Sequence, residues 1–572
     1  MLRGLAMSLK PTPIQPVPAA TARVAAAAFP KGNPYLTLRD RLRTIFADDD
    51  FADLFPGCGQ PSEPPWRLAL VTIMQFREHL ADRQAAEAVR ARIDWKYLLG
   101  LDLTDPGFDF SVLSEFRTRL LTGSAEDRLL EKLLEWCRTQ GLIKARGRQR
   151  TDSTHVLASI RVLSRMELVA ETLRAALNEL ATVAPDWLQA LAPLEWFDRY
   201  KRRIEDTRLP QEKAAREVYM QRVGADGFRL LDALSAPEAP EGLGGLPMVV
   251  ALRQTWLRHY DRTPPEASDT CSTGGASIQV KPKHELARAT EGIESPYDPQ
   301  ARYRNKGDTK WVGYMAHFSE TCEDDAVHLI THTHTTPATV HEAQCTEVIH
   351  EGLLKKSLLP REHLVDAAYI SAELLVSSRD EHGIALIGPP RPDSSWQANV
   401  EDAYSLDQFA IDWDHQPMQC PQGKVSRGWK ERLDYTGHPY IQVSFRTQDC
   451  QACGSRAFCT RAAAPKPRVI KLQPRLSYEA LQLARASSRS AEGLQLYASR
   501  AGIEGTVSQG VRTCGLRRTR YRGLSKAHLQ NVAIAAAINV DRLVAWFEER
   551  PRAKTRTSRF AALAPEHAMG PG

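Results

Sequence analysis

The sequence predicts a mixed α/β fold with large helical parts. Three observations carry that reading. Residues 309–390 alternate apolar, branched-rich stretches with helical ones. Residues 36–145 and 165–265 carry apolar residues at helical spacing. From 476 to about 549 the chain again reads as helical.

Taken in order, residues 1–35 read as a flexible basic tail, with Arg3, Lys10, Arg23 and Lys31 and no acid before Asp40. This stretch lacks the continuous apolar run of a signal peptide. In 36–145, "PPWRLALVTIMQFREHL" opens with prolines and then sets Leu70, Ile73, Met74 and Leu80 on a stripe. "FSVLSEFRTRLL" places Val112, Leu113, Phe116 and Leu120 on one side and Arg117 and Arg119 on the other. Short helices with a basic last member fit a helix-turn-helix-like DNA-binding domain as well as an ordinary bundle. Residues 146–164 begin the α/β core. The block 165–265, with Met166, Val169, Leu173, Leu177 and Leu180 in step, interrupts that core as a helical insertion.

The core resumes over 266–399. "TKWVGYMAHFSET" and "AVHLITH" (326–332) predict strands, and "ATVHEAQCTEVIHEGLLKK" predicts a helix. "HLVDAAY" predicts a short strand ending at Asp366, "SAELLVSSRDEHG" a helix stopped by Gly383, and "IALIGPP" another strand. Residues 400–465 turn loop-like and contain cysteines. Residues 466–549 form the C-terminal helical part of the core, and 550–572 a basic tail.

Composition bounds the function. The chain has 572 residues, 42% hydrophobic and 25% charged, with a net charge of +6. Those are globular values, and no apolar run is long enough for a membrane span. Cytoplasm is the expected compartment. Between Glu504 and Asp541 there is no acid, while Arg512, Arg517, Arg518, Arg520, Arg522 and Lys526 all fall there. A cluster of one sign suits a phosphate backbone, although such a run alone more often makes a solvated face. Of ten cysteines, Cys58, Cys137, Cys271, Cys322, Cys345 and Cys514 are scattered and read as buried thiols. Cys420, Cys450, Cys453 and Cys459 are grouped. The C-x2-C pair and two further thiols are the chain's best zinc signal, against free thiols on a loop.

Asp152, in "QRTDSTHV", reads by itself as a helix N-cap. Asp366 closes an apolar strand, a natural position for an acid at an active-site rim. Tyr497, Arg500 and Glu504 stand at i, i+3 and i+7 and share a helix face, which by itself reads as a surface ion pair. His332, His334 and His341 read as polar residues near the site rather than as ligands, and His155 as a contact to DNA or phosphate.

Together these stretches resemble bacterial insertion-sequence transposases of the DDE class. Tyr497, Arg500 and Glu504 match the Y-x2-R-x3-E signature. "TDSTHV" resembles the first-aspartate motif, "LVDAAYIS" the second, and "RTCGLRRTRYRGLSKAHLQNVAIAAAINVDRL" the segment after the glutamate. "PWRLALVTIMQFREHL" through "FSVLSEFRTRLL" is similar to the family's N-terminal helical domain. The likeness covers roughly residues 36–545, in order. It implies an RNase H-like core, a catalytic Asp152/Asp366/Glu504 triad, two Mg²⁺ (or Mn²⁺) ions, and double-stranded DNA as partner. The implied DNA is the element's terminal inverted repeats and a target, and a homodimer would hold two ends. A non-catalytic DNA-binding regulator and a metal-dependent nuclease are the alternatives. Two positions depart from the family pattern. Val511 stands where the family has a lysine, with Arg512 one step on, and Met315 stands where a basic residue is frequent. Read as one set, the three acids move Asp152 from cap to metal ligand, because two-metal phosphoryl transfer needs separated carboxylates around one centre.

Overall fold

A computed structural model describes residues 7–263, 277–286, 292–551 and Leu563. Seven helices come first: α1 (Ala19–Ala28), α2 (Pro34–Leu42), α3 (Pro65–Arg77), α4 (Asp82–Ala91), α5 (Ile93–Leu99), α6 (Ser111–Thr122) and α7 (Arg128–Thr139). The expected flexible tail therefore contains α1 and the start of α2. Thr21 is fully buried and its hydroxyl donates to the Leu101 carbonyl at 2.8 Å, which ties α1 down.

The central sheet starts with β1 (Arg148–Leu157). The helical insertion follows, built mainly on α8 (Arg165–Val183), α9 (Lys213–Ser235) and α10 (Pro247–His259). It has an apolar core of its own around Leu173, Leu180, Val223, Leu230, Leu252 and Trp256. Gly227 lies in α9 because a Cβ there would stand 2.1 Å from the Trp256 ring. Cys271 lies outside the described residues.

The sheet continues with β2 (Arg302–Lys306), β3 (Thr309–Thr321), β4 (Ile330–Pro337), α11 (Thr346–Lys355), β5 (Glu362–Leu364), α12 (Ala372–His382) and β6 (Ala385–Ile387). Its order is β6-β5-β1-β3, and β3 pairs β2 along its first residues and β4 along the rest. The β1–β3 and β3–β4 pairs are antiparallel, whereas β5 runs parallel to β1 and β6 parallel to β5. The strand expected at 326–332 begins only at Ile330. The helix expected from 338 starts at Thr346, after a single 3-10 turn over Glu342–Cys345. Gly383 closes α12 with φ +62°, the left-handed conformation that glycine adopts without a Cβ penalty.

Residues 400–465 are not simply loops. They contain β7 (Gly428–Leu433) and β8 (Pro439–Ser444), which pair antiparallel, and β8 pairs β9 (Val469–Leu472). Phe409, Met418, Ile441, Val443, Phe445, Ile470 and Leu472 make a small separate core. Sequence reading missed it because these residues are few and spread thinly between turns.

The chain ends in α13 (Arg475–Ser487), α14 (Ala491–Ala498), α15 (Gly502–Cys514) and α16 (Leu524–Phe547). Helix α16 is buried nearly all round, the pattern of a helix with neighbours on every side. One flank packs on β4. Asn539 both accepts from the Ile330 N–H at 2.7 Å and donates to the Ile330 carbonyl at 2.8 Å, satisfying the backbone of the outer strand. The other flank packs on α2, α3 and α7. One continuous core thus runs from Tyr35 through Leu70, Leu133 and Phe318 to Ile534 and Val544. The N-terminal helices are part of the same folded body as the sheet.

Arg117 and Arg119, expected on an outward basic face of α6, point elsewhere. Arg117 is buried, pairs with Asp82 and lies 5.3 Å over the Tyr521 ring. Arg119 lies 4.6 Å over Phe55 and donates to the Leu54 carbonyl. Among the scattered cysteines, Cys137, Cys322, Cys345 and Cys514 are buried as expected, but Cys58 is exposed.

Candidate active site

Strand β1 places Asp152. It is not a helix cap: it sits mid-strand, opposite Phe318 of β3. On the other side, Arg150 pairs with Leu364 of β5 in parallel register. Two residues further along both chains are Asp152 and Asp366. Asp366 has left the ladder there, yet it stays close enough to Asp152 to act on its charge. Asp366 lies just past β5 and caps a 3-10 turn, accepting from the Ala368 N–H. Asp152 Oδ1 accepts from the Ser153 N–H at 2.8 Å.

Residues 150, 152 and 154 share one face of β1, and that face meets the C-terminal segment. Arg150 donates to the Ser499 carbonyl, Arg500 donates to Asp152 at 2.9 Å, and Arg517 Nε reaches Thr154 at 3.3 Å. Gly502 permits the approach, since a Cβ there would be 2.2 Å from the Arg150 guanidinium. Tyr497, Arg500 and Glu504 do not share one regular helix. Tyr497 ends α14, Arg500 lies in a 3-10 turn (Ser499–Ala501), and Glu504 opens α15. Arg500 still spans the acids, at 2.9 Å from Asp152 and 3.7 Å from Glu504. The side chains of Arg500 and Asp152 are only 13% and 17% exposed, whereas that of Glu504 is 69% exposed.

Burial pushes the Asp152 carboxyl above its ordinary range; Arg500 opposes the shift and neighbouring Asp366 adds to it. Burial likewise raises Tyr497, with Arg500 opposing and all three acids adding. Two adjacent carboxylates that repel each other favour a bound cation, and hard oxygen donors suit Mg²⁺. Asp152 and Asp366 offer such donors, while the Glu504 side chain is largely exposed and 3.7 Å from Arg500. As they stand, no three His, Cys, Asp or Glu side chains among the described residues are grouped closely enough to hold a metal.

Sequence reading missed Glu320. Its side chain is 0% exposed, and it accepts from Arg150 Nε at 2.7 Å, Arg542 at 2.7 Å and Thr506 at 2.6 Å. Against the cost of complete burial, Arg542 and Arg150 hold its pKa below the usual range. Thr506 lies two residues beyond Glu504, so this ion cluster anchors α15 and α16 to the sheet. The available signals were an acid inside an aromatic-rich strand and an arginine two before Asp152. Tyr369 was also missed. It accompanies Ser153 beneath the site and is joined to His317 Nδ1 at 2.6 Å.

The remaining expected residues divide. Arg512, Arg517, Arg518, Arg522 and Lys526 are exposed. Arg520 is committed internally, over Phe76 at 4.7 Å and bonded to His79 and the Leu80 carbonyl, so it ties α16's approach to α3. Val511 packs against the main core, which explains why a lysine is absent there. Met315 is buried with Trp311 and Ala338. His155 lies 5.5 Å from the Trp311 ring. His332 is buried, with Lys356 Nζ 3.2 Å from its Nδ1, and sits at the outer strand rather than at the acids.

Comparison with known families bears on this geometry. Residues 23–119 match the family described as transposase domain (DUF772), and residues 419–544 match the transposase DDE domain. Together the two matches support an insertion-sequence DDE transposase. The DDE match contains Tyr497, Arg500, Glu504 and the four grouped cysteines; neither aspartate lies in it. No curated protein matches. Among the described residues no helix is long and apolar enough to cross a membrane.

Proposed function

We propose that this chain binds the ends of an insertion sequence and catalyses metal-dependent cleavage and strand transfer on double-stranded DNA, with Asp152, Asp366 and Glu504 as ligands of two Mg²⁺ or Mn²⁺ ions. The observation that carries the reading is that Asp366, just past the β1–β5 ladder, acts on the charge of Asp152, which Arg500 bridges toward Glu504. A central strand flanked by antiparallel β3 and parallel β5 is also the order of an RNase H-like core, which supports the same reading.

When bound, the ions would supply charge stabilisation for the attacking and leaving oxygens. The protein's own groups prepare that centre. The Ser153 and Ala368 amides orient the two aspartates. Arg500 neutralises Asp152 and Glu504 before DNA binds, and its planar fork can then turn to a phosphate. Tyr497, half-buried beside it, positions the flanking strand. Arg512, Arg517, Arg518, Arg522 and Lys526 grip the backbone; Arg520 does not contribute. Joining requires two ends at once, so the working unit is a homodimer, acting in the bacterial cytoplasm.

The deciding experiment supplies linear DNA carrying the element ends, Mg²⁺ and a target plasmid. Joined products support the proposal. Cleavage without joining would make the protein a nuclease, and end binding without cleavage would make it a regulator.

A further inference from the structure

We infer that Cys420, Cys450, Cys453 and Cys459 form a structural Zn²⁺ site at one end of the β7–β9 unit. Three separate segments bring these thiols to one small cavity of about 30 Å³, which all four line. None of them is in a disulfide.

The local backbone is shaped for thiolates. After Cys420 the chain makes a tight turn: Gly423 takes φ +75° and its N–H donates to the Cys420 carbonyl at 2.8 Å. The same turn aims the Lys424 N–H at Cys420 Sγ, 3.3 Å away. An N–H donated to sulfur favours the charged form that binds metal. Cys450 and Cys453 flank the end of the short helix Thr447–Gln451, and Cys459 ends the helix Arg456–Cys459. Each cysteine thus belongs to a turn or helix end that fixes its backbone.

The surroundings carry the complementary charge. Zinc with four thiolates is a dianion, and Lys424, Arg456 and Arg468 outnumber the one acid, Asp449, that lines the same cavity. Arg468 donates to the Cys459 carbonyl, and its Nε is buried with no partner. Arg456 reaches the Cys450 carbonyl at 3.5 Å. Soft sulfur ligands in a tetrahedral set select zinc over the hard ions suited to the carboxylates. All four residues line the cavity, yet as they stand no three of them are grouped to hold a metal, so binding must draw them together.

The apolar core of Phe409, Val443 and Leu472 supports the sheet independently, so zinc would lock the cysteine end rather than fold the whole unit. Strand β9 runs directly into α13, which packs on α12, the helix that follows Asp366. The site therefore braces the structure between the second and third acids.

The test uses the full-length protein purified without chelator. Metal analysis is expected to find about one zinc per chain, released in step with mercurial titration of the thiols. Cys453→Ser should lose that zinc, whereas Cys58→Ser, at the exposed cysteine elsewhere, should retain it. Replacement by Co²⁺ should produce sulfur-to-cobalt charge-transfer absorption, a readout that needs no variant. Natively folded protein that holds neither zinc nor cobalt overturns the inference, as does full zinc content in Cys453→Ser.

Discussion

The N-terminal helices and the insertion that begins at Arg165 are both largely helical, both lie outside the central sheet, and both looked separable. They differ in where their apolar surface goes. The insertion closes on itself around Leu180, Leu230 and Trp256. The N-terminal helices cannot, because their core is completed by α16, at the far end of the chain. Polar ties cross the same junction: Arg77 pairs with Asp541 at 2.6 Å, Thr37 donates to Glu548 at 3.0 Å, and His528 lies 3.4 Å from Asp127. A transposase-domain match at each end of the chain therefore marks two halves of one folded body. A region's helicity does not make it a domain; what decides is whether its apolar face is covered from within.

The comparison can be broken at several points. The largest effect is expected on chemistry in the shared body. Asp152→Asn should lower cleavage by roughly 10³-fold, the equivalent of losing several kcal/mol of metal-centred stabilisation. Thermal stability should not fall, because burial already disfavours the Asp152 charge. A variant that cleaves at the wild-type rate would remove Asp152 from the site.

Next comes the anchor that joins β3 to α15 and α16. Glu320→Ala leaves Arg150 and Arg542 buried without their acid and should cost about 3–5 kcal/mol. Its pH signature follows from a depressed folded pKa. The stabilisation is fully present above the ordinary value of 4.5 and is lost as pH falls through the folded pKa. Denaturant midpoints measured across pH 3–7 should therefore decline toward acid more steeply in the wild type than in Glu320→Gln.

A matched pair separates the two regions directly. Ile534→Ala in α16 and Leu230→Ala in α9 each empty a fully buried site and should each cost about 2–5 kcal/mol. Their reach should differ. Hydrogen exchange should speed up in Ile534→Ala across α3, β4 and the β1 active-site strand, but in Leu230→Ala only within the insertion. Equal spread from both would show the insertion to be coupled to the rest. The smallest effect belongs to the insertion's surface: Arg262→Ala breaks a half-exposed pair with Asp232 and should change stability by less than about 1 kcal/mol.

By itself the sequence determined what local chemistry can write. Helical spacing marked α3, α6 and α8, Gly383 marked the end of α12, and aromatic and branched residues marked β3. Resemblance to transposase motifs also singled out Asp152, Asp366, Arg500 and Glu504. Tertiary structure decided everything that depends on who faces whom. Strand pairing put Asp152 mid-strand opposite Phe318 and near Asp366, and close packing turned Arg117 and Arg520 from outward cations into internal ties. It buried Glu320 between two arginines and gave the N-terminal helices their missing wall. The physical reason is range. Propensity, capping and periodicity act over a few residues, while register, burial and ion pairing join positions hundreds of residues apart, as Arg500 and Asp152 are, and only the folded chain brings them within reach.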